Sequence, residues 1–235
     1  MTPHNIKKAL TYLQTDPLLH MGMLEVLRRG QAKICYADTD GVLLREDSGG
    51  AYMLSASSPQ TAERLIIGIR DAEAFLVHQR FSVPLLQQRF HYTKIYDCLQ
   101  AVYTRASAPS VLDQYDIQTL TLAHEKAVLQ YYHSMDDPAY IRDRIIHQEM
   151  FGAFNNGALL GFIGVHAEGS IGLLEVLPKY KRMGVASALE SFLIRLHLQK
   201  GWTPFCEVLA DNTASLSLQR KLGLEISTEH LYWVS

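Results

Sequence analysis

The stretch from Ile171 to Leu198 constrains this chain more than any other. Ile171 to Leu177 is strand-like and ends at Pro178. Lys179-Tyr180-Lys181-Arg182-Met183-Gly184 follows, then a helix whose apolar positions Val185, Leu189, Phe192 and Leu196 keep one face. A helix entered this way offers its first backbone N–H groups without partners, at the positive end of its dipole. Together these make an anion site. Gly184 permits close approach of a phosphate and an unusual backbone angle, Ala186 leaves the next turn uncrowded, and Lys181 and Arg182 add positive charge. A diphosphate is the natural ligand. The same residues also suit an ordinary basic loop with a helpful glycine, so a second signal is needed.

The following segment supplies it. A strand from Pro204 to Leu209 runs into Asp211-Asn212-Thr213-Ala214-Ser215 and then Leu218, and Lys221-Leu222-Gly223 closes the helix with glycine at the usual C-terminal position. Two strand-to-helix units with polar helix N-termini stand in succession.

Upstream, helices are predicted from Asn5 to Leu13 and, after the cap Asp16-Pro17, through Leu19, Met23, Val26 and Leu27. Strands over Ala32 to Ala37 and Val42 to Arg45 flank Asp38-Thr39-Asp40-Gly41, a hairpin turn rather than a calcium loop, which needs many more oxygen ligands. A strand (Ala51 to Ala56), a helix (Pro59 to Ile69), a strand (Ala74 to His78), a helix (Val83 to Phe90) and a strand (Ile95 to Tyr103) complete this half. The breaker-rich run Arg105-Ala106-Ser107-Ala108-Pro109-Ser110 has no apolar period and sets a domain boundary near residue 112, dividing the chain into 1–112 and 113–235. Beyond it come a strand (Asp116 to Leu122), two helices (Ala123 to Ser134, Pro138 to His147), and strands Gly152 to Phe154 and Ala158 to His166 joined by the turn Asn155-Asn156-Gly157. A strand from Leu224 to Val234 ends the chain.

Composition narrows the function classes. At 235 residues and 48% hydrophobic, the chain can bury a substantial core, and 22 Lys+Arg against 24 Asp+Glu leave a net charge of -2, no field for nucleic acid or an anionic membrane. Cys35, Cys98 and Cys206 are odd in number and lack ligand spacing, so neither a disulfide framework nor a metal site is expected; each reads as a small core residue. Met1-Thr2-Pro3-His4-Asn5 does not open a signal peptide, and no run reaches the roughly 18 apolar residues that span a bilayer, so a cytoplasmic location is expected.

Leu174-Glu175-Val176-Leu177-Pro178-Lys179-Tyr180-Lys181-Arg182-Met183-Gly184-Val185-Ala186, with Pro204-Phe205-Cys206-Glu207-Val208 and Asn212-Thr213-Ala214-Ser215, resembles the GNAT superfamily of acyl-CoA-dependent N-acyltransferases. Its signature is Gln/Arg-x-x-Gly-x-Gly/Ala after the fourth strand and Asn-x-x-Ser/Ala after the fifth; Lys181 stands where Gln or Arg is usual. The stretch looks closest to the glycine N-acyltransferase-like branch. The resemblance is clear over about residues 148 to 235, fainter from 113, and absent as a motif before that. It implies an α/β (α+β) fold: a mixed sheet flanked by helices, splayed between its fourth and fifth strands, with the pantetheine of acetyl-CoA in the opening. Carried over by position, the backbone at Leu174 and Val176 meets the pantetheine arm and thioester carbonyl. Lys181, Arg182, Met183, Gly184, Val185, Ala186 and Ser187 hold the pyrophosphate, and Asn212 with Ser215 meets the arm from the far side.

The implied chemistry is direct acetyl transfer to the amine of a small molecule or amino acid. With an amine pKa of about 10, a base must remove a proton first. Many members place a tyrosine after the leucine of Asn-x-x-Ser-x-x-Leu to protonate the leaving thiolate; here that position is Gln219, which has no proton to give. Either CoA leaves as the thiolate or another hydroxyl substitutes, Tyr232 and Tyr180 being those available. Glu175 and Glu207 are the candidate bases, Glu175 with a competing structural reading, and Glu168 and His166 lie near the mouth; His230 and His166 read equally as ordinary histidines. His230-Leu231-Tyr232-Trp233-Val234 lines an acceptor pocket or forms an edge strand packing the core. Residues 1–112 have an element order compatible with a degenerate copy of the same fold. Ser57-Ser58-Pro59-Gln60-Thr61 lacks the glycine and basic residues of a second diphosphate site, so one cofactor per chain is expected, and this half completes the acceptor pocket or supplies a homodimer surface. A non-catalytic acyl-CoA sensor is the alternative, motivated by Gln219. Aminoacyl transfer from tRNA on a paired fold of this kind would not need the diphosphate loop.

Overall fold

The computed structural model describes residues 3–110, 114–134 and 137–235. The chain divides into two compact units, one made of Met1–Val102, Glu207–Leu216 and Glu225–Ser235, the other of Tyr103–Cys206 and Ser217–Leu224. The boundary expected near residue 112 falls on residues 111–113, outside the described residues; the units part earlier, between Val102 and Tyr103.

The first unit is organised on a mixed sheet in the order β1-β2-β3-β4-β11-β5-β10. Its strands are β1 (Ala32–Asp38), β2 (Gly41–Glu46), β3 (Tyr52–Ala56), β4 (Phe75–Val77), β5 (Ile95–Val102), β10 (Phe205–Leu209) and β11 (Glu225–Val234). Alternation of side chains along these strands builds a core on each face. Ala9 and Leu13 of α1 (Pro3–Leu13) and Met23 and Val26 of α2 (Met21–Arg28) cover Leu44, Met53, Leu76 and Leu231. Ala62 and Leu65 of α3 (Pro59–Ile66) and Val83 and Leu86 of α4 (Ser82–Phe90) cover Leu43, Leu54, Phe75, Val77 and Tyr232. Truncating a fully buried member such as Met53 to alanine costs about 2–5 kcal/mol. The second helix starts at Met21, later than expected, because Asp16 spends its carboxylate on the Leu19 N–H (3.0 Å) in the turn before it.

β11 pairs antiparallel with both β4 and β5. Its residues 230–234 are therefore an interior strand and not the edge strand that the sequence admitted. Burial on both sheet faces explains the placement: Leu231 enters one core, Tyr232 and Val234 the other. Cys98 and Cys206 are buried as expected, but Cys35 is exposed, because β1 is an edge strand of the sheet.

The second unit holds an antiparallel sheet in the order β6-β7-β8-β9, built from β6 (Asp116–Thr119), β7 (Met150–Asn155), β8 (Ala158–Val165) and β9 (Ile171–Val176). The β7–β8 hairpin turns at Asn156 (φ 48) and Gly157 (φ 77), the left-handed pair that a tight primed turn demands. α5 (Glu125–Tyr131) and α6 (Pro138–Ile146) bring Val128, Ile141 and Ile145 onto Met150, Phe154, Phe162 and Leu173. α7 (Val185–Gln199) packs on β7, β8 and β9, with the Phe192 and Phe151 rings 5.2 Å apart. α8 (Thr213–Leu222) precedes β11.

The element order repeats. α1-α2-β1-β2-β3-α3-β4-α4-β5 and α5-α6-β7-β8-β9-α7-β10-α8-β11 follow one plan, with β6 additional to the second set. Among the described residues, no helix is long and apolar enough to cross a membrane, and no group of three His, Cys, Asp or Glu side chains is placed to hold a metal ion.

Candidate functional site

β9 leads through a single helical turn, Pro178–Tyr180, into the loop ahead of α7. Arg182 has φ 66 and Gly184 φ 85, two left-handed residues in a three-residue span, a backbone pattern of the kind from which anion-binding nests are made. Gly184 is the N-cap of α7, and no side chain among the described residues caps the helix. The first intrahelical bond of this end runs from the Ala188 N–H to the Gly184 carbonyl, at 3.0 Å. The N–H groups of Val185, Ala186 and Ser187 are thus left at the dipole's positive end, as four N-terminal amides of any helix are unless something caps them. Lys181 and Arg182 are exposed beside them. Val185 is buried and anchors the helix start: a Cβ on Gly161 would come within 3.2 Å of Val185 Cγ1, so the glycine in β8 allows this close approach.

Two residues that sequence reasoning passed over pin the loop. The Met183 carbonyl accepts the Tyr115 hydroxyl at 2.6 Å and Gln114 Nε2 at 3.3 Å. No local pattern announces these bonds, which join residues far apart in sequence. Met183 itself is exposed, so it serves the loop through its backbone.

Among the described residues β9 pairs with β8 alone and β10 belongs to the other sheet, so no described strand lies on the outer edge of β9. Gly172 opposes Gly164 and Glu175 opposes Phe162, which sets Leu173 and Leu174 against the single residue Ile163. This is a bulge. Leu173 is buried with φ 53, a backbone state that costs a leucine on the order of 1–3 kcal/mol and persists only where the surroundings enforce it. Leu174 and Val176 are half-buried on the same strand.

Glu175 follows the bulge. Lys181 Nζ lies 3.5 Å from Glu175 Oε1, joining a candidate base to the cofactor loop. Glu175 also acts on Tyr132, whose hydroxyl is pushed up to about 12, chiefly by burial. Tyr180 is half-buried, with the Lys179 ammonium 5.1 Å from its ring centroid.

Other expected residues are engaged elsewhere. Glu207 Oε2 accepts the Trp233 indole N–H, while Tyr232, the next residue back, enters the core on the opposite face of the same sheet; burial pushes its hydroxyl up. These two are not brought together. Asn212 Oδ1 accepts the Ser215 N–H at 3.0 Å and so caps α8. His230 Nδ1 is bonded to Asp97 Oδ1. Gln219 is buried and hydrogen-bonded to Glu190, which burial raises to about 7.

Residues 151–234 match the family model described as FR47-like protein. No curated protein matches the sequence. Among solved structures, a Drosophila protein superposes with a TM-score of 0.66 at 13% identity, over 100% of this chain and 96% of the other. A putative acetyltransferase of the GNAT family from Novosphingobium aromaticivorans gives 0.55 at 16% identity, over 98% of this chain and 95% of that one. A GCN5-related N-acetyltransferase-like protein from Streptococcus suis gives 0.56 at 15%, over 97% and 100%. The fold of this chain is the fold of those GNAT proteins.

Proposed function

We propose that this chain is a GNAT N-acyltransferase that transfers the acetyl group of acetyl-CoA to the amine of a small molecule or amino acid in a ternary complex. The observation that carries the reading is the uncapped N-terminus of α7, entered through the Arg182–Gly184 nest beside a strand with a free, bulged edge. The residues present fit the cofactor. Backbone amides of Val185 to Ser187 suit a diphosphate, Lys181 and Arg182 supply opposite charge, and the bare edge of β9 suits the amides of a pantetheine arm laid along it. Bound acetyl-CoA supplies the thioester; the chain does the rest. The bulge frees backbone at Leu173–Leu174 to polarise a carbonyl oxygen. Glu175, next along the strand, accepts a proton from the substrate ammonium so that the neutral amine attacks the thioester carbon, and Lys181 holds the carboxylate at the loop. Gln219 gives no proton, so CoA leaves as the thiolate when the carbon–sulfur bond breaks, and the second proton of the attacking nitrogen passes to water.

The buried Gln219–Glu190 contact favours a second reading, a non-catalytic acyl-CoA sensor, because the usual tyrosine position is turned inward. One experiment separates the two. Titration calorimetry with acetyl-CoA reports binding, and release of free CoA across a panel of amines reports turnover. Binding with turnover supports the transferase, binding without any turnover supports the sensor, and no binding removes both.

A further inference from the structure

We propose that Tyr140 and His166 are positioning residues that hold the β9 bulge in the shape that polarises the thioester. This rests on the acyl-transfer reading and names how that site is set. Tyr140 stands in the first turn of α6, its N–H accepted by the N-cap Asp137 at 2.9 Å. Its hydroxyl accepts the Ala167 N–H at 3.1 Å and lies 3.0 Å from His166 Nδ1. Having accepted the amide, the hydroxyl turns its own proton to the ring. Burial lowers the affinity of His166 for a proton, with Glu168 opposing the effect and Arg144 adding to it. The ring is therefore neutral near pH 7, Nδ1 offers its lone pair to Tyr140, and the proton resides on Nε2.

So fixed, the ring presents its Nε2–Cδ2 edge to the backbone at the foot of the bulge. A Cβ on Gly172 would sit 2.4 Å from His166 Nε2 and 2.6 Å from Cδ2, distances no side chain tolerates. Gly172 is the last residue in register before Leu173 takes φ 53 and the strand gains its extra residue. The turn that carries the ring is closed by the His166 N–H on the Ser170 carbonyl and the Gly169 N–H on the His166 carbonyl, both 2.9 Å. Tyr140 thereby ties α6 to the β8–β9 turn, and through the imidazole to the residue that precedes the left-handed leucine. A strained backbone needs such an outside constraint to persist. Carbonyl polarisation depends steeply on donor placement, so loosening this contact should weaken catalysis without touching the diphosphate loop.

The test uses acetyl-CoA carrying carbon-13 at the thioester carbonyl, bound to the full chain and read by difference infrared spectroscopy, with calorimetry on the same samples. Two variants are compared with the parent. Tyr140→Phe removes the hydroxyl, and Gly172→Ala places a methyl group on the ring. Both are expected to bind acetyl-CoA within about threefold of the parent, while losing roughly half or more of the carbonyl downshift and slowing CoA release about tenfold. A full downshift in either folded variant overturns the proposal. So does a parent protein that binds acetyl-CoA without any downshift, and so does a loss of cofactor binding in both variants, which would mark the pair as merely structural. A parent that binds no acetyl-CoA fails at the calorimetry and overturns the function itself.

Discussion

β3 and β9, the third strands of the repeated element order with β6 set aside, each lead into a helix, and the two junctions have been finished in opposite ways. In the first half, Ser58 caps α3, its Oγ accepting the Thr61 N–H at 3.1 Å, and Pro59 removes another donor. Asp40 stands close by, accepting Thr61 Oγ1 at 3.3 Å and Arg64 at 2.6 Å. β3 pairs in parallel with β4, so its edge is filled. In the second half, among the described residues, α7 has Gly184 and no side-chain cap, the neighbouring charges are Lys181 and Arg182, and β9 meets no strand on its outer side. The element order is shared, but anion binding depends on three local choices: whether a side chain already uses the amides, the sign of the nearby charge, and whether the strand edge is paired. On these grounds the second junction is the one we propose for the cofactor.

The largest break in the comparison is catalytic. β3 reads Tyr52-Met53-Leu54-Ser55-Ala56 and carries no carboxylate, whereas β9 carries Glu175. Glu175→Gln should lower CoA release by about 100- to 1,000-fold with acetyl-CoA affinity nearly unchanged, measured by steady-state kinetics and calorimetry. A wild-type rate would leave Glu175 as nothing more than the ion-pair partner of Lys181. Next in size is Gly184→Glu, which sets a Cβ at φ 85 and a carboxylate where phosphate belongs. Kd for acetyl-CoA should rise by about 100-fold or more. Circular dichroism should stay that of the parent, since Gly184 is at a surface loop.

The strand–loop–helix junctions and the Asn156-Gly157 hairpin were legible because their signals are local: an apolar period, a breaker, a glycine that must be left-handed. Partners distant in sequence were not. Nothing in Leu231-Tyr232-Trp233-Val234 says that the strand crosses to lie between β4 and β5; only apolar surface waiting on both faces of that sheet decides it. Leu173 gives no hint of its positive φ, because leucine is chemically the wrong residue for it and the cause is the surrounding register. Tyr115 and Gln114 likewise reach Met183 across 68 and 69 positions. Glu207 looked like a base on a suitable strand, and its bond to Trp233 became visible only once β11 was placed.

The closed junction should also be the acid-sensitive one. At the seam of β3 and β4, His20 Nδ1 donates to the Leu13 carbonyl at 3.0 Å, leaving Nε2 to Ser55 Oγ at 2.9 Å, and Gln79 Nε2 donates to the same hydroxyl. The His78 ring is 5.0 Å from that of His20, and its Nε2 has no hydrogen-bond partner among the described residues. Burial lowers both histidines, His78 to about 3 with His20 adding repulsion. A histidine depressed in the folded state binds protons better when unfolded. Its contribution is therefore intact above the unfolded value of about 6.5 and drains away as pH falls toward about 3. Urea midpoints should drop by an equivalent of about 2–3 kcal/mol between pH 7 and pH 4.5. His78→Phe should flatten most of that slope; an unchanged slope would move the acid sensitivity elsewhere.

The smallest effect is the sharpest test of the three-part argument. Ser58→Ala leaves the Thr61 N–H without its acceptor and should cost about 1 kcal/mol, while Ser58→Gly should cost only a few tenths, since glycine lets water reach the amide. Either change reopens the N-terminus of α3, one of the three conditions that distinguish it from α7. If an uncapped helix end were sufficient, Ser58→Gly would give the protein a second acetyl-CoA site. The expected stoichiometry by calorimetry remains one per chain, because β3 is still paired with β4 and Asp40 still places its negative charge beside the junction. A second site appearing in that variant would reduce the difference between the halves to the capping serine alone.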